Sequence, residues 1–285
     1  MKRCFLYGAL VLLMGAHGSA QAPSPRKPAF EVASIKRNTS GTPQYSINMP
    51  GCRFITTNAT VKELLLYAYR PTSGQFRRDQ VIGGPAWLDT DRFDIQAKPE
   101  GERPSIPHPE MQQMVQALLQ DRFQLKAHIE SRELPVYELV VTKDGPKIKW
   151  VDDQTPESEL SPTIFCSPTA PSRLPRRGVS LIGTPNPAGM LLTITASATS
   201  VPTFIDLIQP YTDRLILNKT GLKGMFDFKM QFGLSGSSPN AGTPLAEPSG
   251  PSIFTGVQDL GLKLESTKAP IEVLVIDSVQ RPSEN

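Results

Sequence analysis

Asp89, Asp91 and Asp94 crowd into one short stretch directly after Trp87. Carboxylates at that density can hold Ca²⁺, which gathers oxygen ligands. The EF-hand spacing is missing, so a solvated acidic turn is the stronger reading. Trp87 offers a flat surface on which a ligand could stack, against the commoner role of a core or rim aromatic. Tyr67 and Tyr69 would widen that surface, but they flank an apolar helical stripe, which predicts partial burial. His128 shares a strand face with Lys126 and Glu130, the pattern of a solvated histidine. His108 precedes Pro109 and Glu110 at a helix start, far from any zinc signature. Arg70, Arg77 and Arg78 form a basic loop, read as solvated, with an anion-binding patch as the alternative.

Nothing in this inventory makes a catalytic set. There is no G-x-S-x-G elbow, no Ser-x-x-Lys and no phosphate-binding Walker loop. Gly83-Gly84-Pro85 runs into Trp87-Leu88-Asp89 and reads as a turn rather than a helix start. No cofactor and no metal is implied. Trp87, Asp89, Asp91 and His128 stand as ligand-site candidates, and no residue is assigned to catalysis.

The N-terminus is an export signal by pattern. Lys2 and Arg3 precede an apolar run from Cys4 to Met14, too short to span a bilayer, followed by the small residues Gly15, Ala16, Gly18, Ser19 and Ala20. Cleavage is expected after Ala20, because a cut after Ala22 would leave Pro23 first. No later segment is apolar enough to cross a membrane. The chain carries 30 Lys and Arg against 27 Asp and Glu, a net +3, and loss of Lys2 and Arg3 lowers it to +1. A nearly neutral net charge argues against a dedicated nucleic-acid or anionic-membrane surface. Cys52 and Cys166 remain after cleavage, and outside the cytoplasm an isolated pair is expected to form a disulfide. Without a C-x-x-C motif, a structural role suffices.

The elements that must position these residues read as one unit written twice. Phe54–Thr60 is β-rich and leads into a helix opened by a Thr60/Glu63 capping box, with Val61, Leu64, Leu65 and Ala68 on one stripe. Leu191–Thr199 is again β-rich; Ser200 caps a helix striped by Val201, Phe204, Ile205 and Ile208. Phe93-Asp94-Ile95 and Phe226-Asp227-Phe228 then open alternating strands. Each copy continues through a Pro-rich loop to a second helix, buried through Met111, Met114, Val115, Leu118 and Leu119, or through Ile253, Phe254 and Val257. Gln120-Asp121 corresponds to Gln258-Asp259, Leu125–Glu130 to Leu262–Glu265, and Pro135–Val141 to Pro270–Ile276. The offset drifts only between about 133 and 140 residues.

The spacing therefore predicts an α+β protein of two tandem repeats. Each is a strand-helix-strand-helix-strand-strand unit with its helices on one face of a mixed sheet. Residues 1–20 are the signal peptide and 29–151 the first repeat, with an extra N-terminal strand through Phe30, Val32 and Ile35. Residues 152–188 form a Pro/Ser-rich linker and 189–282 the second repeat. Asp144-Gly145 predicts a hairpin between Val136–Lys143 and Lys147–Val151. A Cys52–Cys166 bridge would pin the linker to the first repeat.

Phe30-Glu31-Val32-Ala33-Ser34-Ile35-Lys36, Gly84-Pro85-Ala86-Trp87-Leu88, Arg92-Phe93-Asp94-Ile95, Arg122–Lys126, Pro135-Val136-Tyr137, Thr220–Gly224 and Val273–Asp277 carry a family resemblance. They are similar to an uncharacterised soil-associated exported family expanded in acidobacteria. The resemblance covers nearly the whole mature chain. It implies a domain of unknown function and transfers no catalytic residue. Each repeat also resembles the short N-terminal domain of secretins and TonB-dependent receptors, modules that contact partner proteins in the periplasm. That likeness concerns fold, and fold does not fix function.

These readings point to an exported, periplasmic or secreted interaction module without catalysis, whose partner is an unidentified envelope protein. Edge strands such as 271–279 are the expected contact. One alternative is a hydrolase using Asp89, Asp91 or His128 in a cleft between the repeats. Another is a small-ligand or carbohydrate binder built on Trp87, Tyr67 and Tyr69.

Overall fold

The computed structural model describes residues 27–42, 44–71, 76–152, 163–166, 178–186, 189–235 and 250–283. The signal segment and most of the predicted linker lie outside them. The described elements run in chain order as β1 (Phe30–Asn38), β2 (Ser46–Asn48), β3 (Phe54–Thr60), α1 (Val61–Ala68), β4 (Val81–Gly83), α2 (Trp87–Thr90), β5 (Arg92–Pro99), β6 (Ser105–Pro107), α3 (His108–Arg122) and β7 (Lys126–Val141). They continue as β8 (Lys149–Trp150), β9 (Thr163–Phe165), β10 (Ser180–Asn186), β11 (Gly189–Ser200), α4 (Val201–Ile208), β12 (Leu215–Asn218), β13 (Met225–Ser235), α5 (Ile253–Asp259) and β14 (Leu262–Ser278). The architecture is mixed α+β, with strands predominating.

The strands form three four-stranded sheets, ordered β1-β5-β3-β2, β12-β7-β14-β4 and β10-β11-β13-β8, and a small β6-β9 pair. The outer two are antiparallel, whereas the middle one is mixed. Local sequence explains the helix starts. Thr60 Oγ1 accepts from Glu63 N at 3.2 Å, and the Glu63 carboxylate accepts from Thr60 N at 2.7 Å, so two orphan N–H groups of α1 are satisfied reciprocally. Ser200 caps α4 by accepting from Thr203 N at 3.3 Å. Val61, Leu64, Leu65 and Ala68 are fully buried, as are Val201, Phe204, Ile205 and Ile208.

β3 and β11 share an irregularity just before these caps. β3 bulges between Thr56 and Ala59, and β11 between Ala196 and Thr199. Each bulge holds a non-glycine residue at positive φ, Asn58 at 57° and Ala198 at 50°. The neighbouring strand closes each one with a carboxylate. Asp94 Oδ1 accepts from Asn58 N at 2.8 Å, and Asp227 Oδ1 accepts from Ala198 N at 2.8 Å. The recurring Phe-Asp pair is thus a structural device: Phe93 and Phe226 face the core while the aspartate satisfies an N–H that the ladder leaves out.

Several expectations need correction. The last two strands of each unit are single long strands, β7 of 16 residues and β14 of 17. They pair antiparallel along almost their full length, from Leu262 opposite Val141 to Ser278 opposite Lys126. β14 is therefore interior to its sheet, and 271–279 is no free edge. The Asp144-Gly145 turn exists, with Gly145 N donating to Thr142 O at 3.0 Å, but β8 pairs with β13 rather than folding back on β7. The segment read as linker contains β9 and β10. Gly83-Gly84-Pro85 leads into the one-turn helix α2. Phe254 is 38 % exposed rather than buried, with its ring edge against Tyr137.

The two halves also do not close separate cores. The first core gathers β1, β3, β5, α1 and α3 with Leu274 and Ile276 from β14; the second gathers β11, β13, α4 and α5 with Tyr137 and Leu139 from β7. Because β7 and β14 run antiparallel past each other, the far half of each lies against the other half's helices. The short strands follow the same exchange, β4 joining β14 in parallel and β12 joining β7 in parallel.

Candidate functional site

The residues singled out for chemistry occupy separate local environments. Asp89 accepts from Lys62 Nζ at 3.2 Å and from Arg78 Nη1 at 3.0 Å. Asp91 is buried and accepts from Arg281 Nε at 2.7 Å and, more loosely, from Arg37 Nη2 at 3.4 Å. Asp94 closes the β3 bulge and accepts from Asn38 Nδ2 at 2.8 Å. The three aspartates thus turn to different cationic or amide donors. Among the described residues no group of three or more His, Cys, Asp or Glu is placed to hold a metal ion.

His128 lies on β7 at the solvent surface. Its Nδ1 sits 3.0 Å from Asp277 Oδ2 on β14, and its Nε2 sits 3.8 Å from Glu130 Oε2. The hydrogen bond to Asp277, with its negative charge, raises the imidazole pKa above its ordinary value. His128 meets neither Asp89 nor Asp91, so the predicted hydrolytic grouping does not assemble. His108 opens α3; crowding by protein and the Arg70 guanidinium lower its pKa.

Trp87 starts α2, which Leu88 anchors in the first core. The Arg281 guanidinium lies over its ring, 5.1 Å from the centroid. Tyr67 and Tyr69 do not join it. The Tyr67 ring packs 5.4 Å from Phe54 and its hydroxyl reaches Met49, and burial raises its pKa. The stacking surface expected from three aromatics is therefore one ring, already covered by a cation.

The basic loop does structural work that spacing could not show. Arg77 donates to the Thr212 carbonyl at 3.0 Å and the Asp213 carbonyl at 3.0 Å, reaching across to the second half. Arg70 approaches Asp206 of α4 at 3.5 Å. Arg78 bridges Glu63 and Asp89. Cys52, in a tight turn at Pro50–Cys52, is joined to Cys166 with sulfurs 1.96 Å apart. Cys166 N also donates to Pro104 O at 3.0 Å, so this segment is tied to the first half by covalent and hydrogen bonds.

What the described surface does offer is an unprotected sheet edge. β2, β4, β8 and β12 are edges of only two to four residues. β1 is a long edge, but it bulges between Phe30 and Val32 and ends in Lys36 and Arg37, both devices that discourage pairing. β10 differs. Its seven residues, Ser-Leu-Ile-Gly-Thr-Pro-Asn, carry no charge, and neither does its neighbour β11. It pairs with β11 in unbroken register from Ser180 opposite Thr195 to Asn186 opposite Gly189. Leu181 and Ile182 are 46 % and 59 % exposed, and Met190 across the pair is 40 % exposed. Only Pro185, near its end, blunts it. Among the described residues nothing pairs with its outer side. The sequence signal was present in Leu181-Ile182 but fell inside a stretch without periodicity.

Among the described residues no helix is long and apolar enough to cross a membrane. No curated protein and no solved structure matches the chain. The family described as a protein of unknown function (DUF3738) matches residues 62–279, well over half of the sequence, and the chain belongs to it.

Proposed function

We propose that the protein is an exported, non-catalytic binding module that captures an extended, uncharged, apolar segment of another protein along β10. The observation that carries this reading is the β10 edge, unpaired among the described residues, uncharged along β10 and β11, with Leu181 and Ile182 exposed. A strand added there gains main-chain hydrogen bonds, and the side chains on either face set its sequence preference. Neither β10 nor β11 carries a charge for a partner to pair with, so the partner segment is neutral and rich in β-branched or apolar residues. The export pattern of residues 1–20 and the Cys52–Cys166 bridge support a site of action outside the cytoplasm, periplasmic or secreted.

The matched bulges of β3 and β11 support descent of the two halves from one duplicated unit. The resemblance of each half to the partner-contacting domain of secretins and TonB-dependent receptors agrees with a binding role. The likeness of segments such as Phe30–Lys36 and Gly84–Leu88 to a soil-associated exported family agrees with export.

Phage-displayed peptides selected on the purified mature protein test the binding reading. Extended uncharged peptides with alternating apolar residues are expected, with binding weakened roughly tenfold or more by Ile182→Lys, because a charge on an edge opposes pairing. Val32→Lys on β1 should leave binding unchanged. Failure to select any peptide, or equal binding by Ile182→Lys protein with an unaltered melting curve, would overturn the reading.

A further inference from the structure

The residues that leave β10 open also fit it to a second copy of itself. Ser180-Leu181-Ile182-Gly183-Thr184 is balanced about Ile182, with a hydroxyl at each end and a large and a small residue on either side of the centre. An antiparallel pairing of two β10 strands centred there sets Ile182 opposite Ile182, Leu181 opposite the other copy's Gly183 and Ser180 opposite the other copy's Thr184. This is a two-fold arrangement, the commonest symmetry of oligomers. β-Branched side chains meet at the axis, leucine lies over glycine, and hydroxyls meet at both ends. No like charges oppose each other, since neither β10 nor β11 carries any.

The backbone supports the same register. Pro185 has no N–H, and a proline on an edge strand turns that side to solvent. Backbone groups alternate sides along a strand, and β10 is unbroken from Ser180 to Asn186, so Leu181 and Gly183 face outward with Pro185 while Ile182 turns its own groups to β11. In the pairing centred on Ile182, each Leu181–Gly183 pair exchanges both of its hydrogen bonds. The two Ile182 residues form the close, non-hydrogen-bonded pair in which side chains stand nearest. The side chains agree. Ile182 lies on the face of Thr193, and Leu181 on the opposite face with Gly183. The Met190 sulfur lies 2.6 Å from where a Cβ on Gly183 would stand, so Leu181 laid over the other copy's Gly183 also reaches that copy's Met190. One contact thus covers all three exposed apolar residues of this edge.

We propose that two copies of the chain pair antiparallel through β10 about an axis at Ile182, joining two four-stranded sheets into one of eight strands, and that this dimer is the resting state of the edge. The proposal rests on the reading of β10 as an edge that accepts a strand, and names what occupies it before a partner does. Contact along one short strand falls at the small end of protein interfaces, below about 1,200 Å², so the pairing is weak and reversible, and a better-matched segment displaces it.

Sedimentation velocity of the mature protein between about 1 and 200 µM should show a monomer–dimer equilibrium with a midpoint of about 10 µM. Ile182→Lys, which sets like charges opposite each other at the axis, should stay monomeric over that range. In Ile182→Cys protein the two introduced thiols face each other, and mild oxidation should give a covalent dimer. Val32→Cys, exposed on the β1 edge, should not cross-link. A peptide selected for binding to the parent should convert dimer to monomer. A parent that is monomeric throughout would overturn the proposal, as would Ile182→Lys protein that dimerises like the parent with an unaltered melting curve. So would cross-linking no faster through Ile182→Cys than through Val32→Cys, or a dimer that persists with the peptide bound. The two readings of β10 separate by outcome. Peptide capture by a protein that never dimerises overturns the self-pairing alone, whereas a dimer that binds no peptide supports it and overturns the capture alone.

Discussion

His128 is the residue whose ionisation the fold most plainly favours, since Asp277 holds its Nδ1 and Glu130 lies beside its Nε2. A histidine whose folded pKa lies above the ordinary 6.5 adds stability that is complete below that value and fades as pH rises through the folded pKa. A proton NMR titration should place the His128 midpoint above 6.5, and Asp277→Asn should bring it down. A parent midpoint at or below 6.5 would mean that the pair does not form in solution. Roles at this scale were legible where the partner was close in sequence. Thr60 and Glu63 are three positions apart, and their capping box could be read directly. Asp91 and Arg77 could not be read, because Arg281 lies 190 positions from the first and the Thr212 carbonyl 135 from the second. A carboxylate beside other carboxylates looks like a ligand set until its distant cations are seen.

At the scale of elements, the two bulges are the features that make β3 and β11 work. Each turns its strand into a helix over a few residues, and each leaves an amide that only an aspartate on the neighbouring strand satisfies. Asp227→Ala should destabilise by roughly 1–3 kcal/mol, the cost of leaving a largely buried N–H unpaired, and Asp94→Ala by a similar amount. Urea unfolding followed by far-UV circular dichroism measures both; a loss under about 0.5 kcal/mol in either variant would show that its bulge does not depend on the carboxylate. The helices and alternating strands were legible because apolar stripes such as Val61/Leu64/Leu65/Ala68 and Phe226/Phe228/Met230/Phe232 are local patterns. The long strands were not. Pro135 and Pro270 look like strand starts, yet both lie mid-strand, in the stretch of β7 and β14 where β12 and β4 do not pair. There each strand has a single neighbour, and a missing N–H can face away from it. β10 was missed because Gly183 and Pro185 interrupt its alternation.

At the scale of the whole molecule, the exchange through β7 and β14 makes the halves interdependent. Leu274 and Ile276 are buried in the first core, and Tyr137 and Leu139 in the second. A chain cut between residues 167 and 177 should therefore remain one complex under reducing conditions. The fragment before the cut, made alone, should lack a cooperative thermal transition and regain one when the fragment after it is added. Size-exclusion chromatography and scanning calorimetry check both; a separately folded first fragment would contradict the exchange. No local pattern could have announced it, since it depends on which of two similar long strands lies beside which helices.

The same exchange fixes when the protein can finish folding. The first half leaves the ribosome early, but the side chains that complete its interior come from a strand near the C-terminus. A chain threaded outward through a membrane pore would stay pliable for nearly its whole passage, because nothing behind it can lock until the tail has cleared. The late strand thus acts as a timer, holding the interior of the first half open until the last part of the chain has been made.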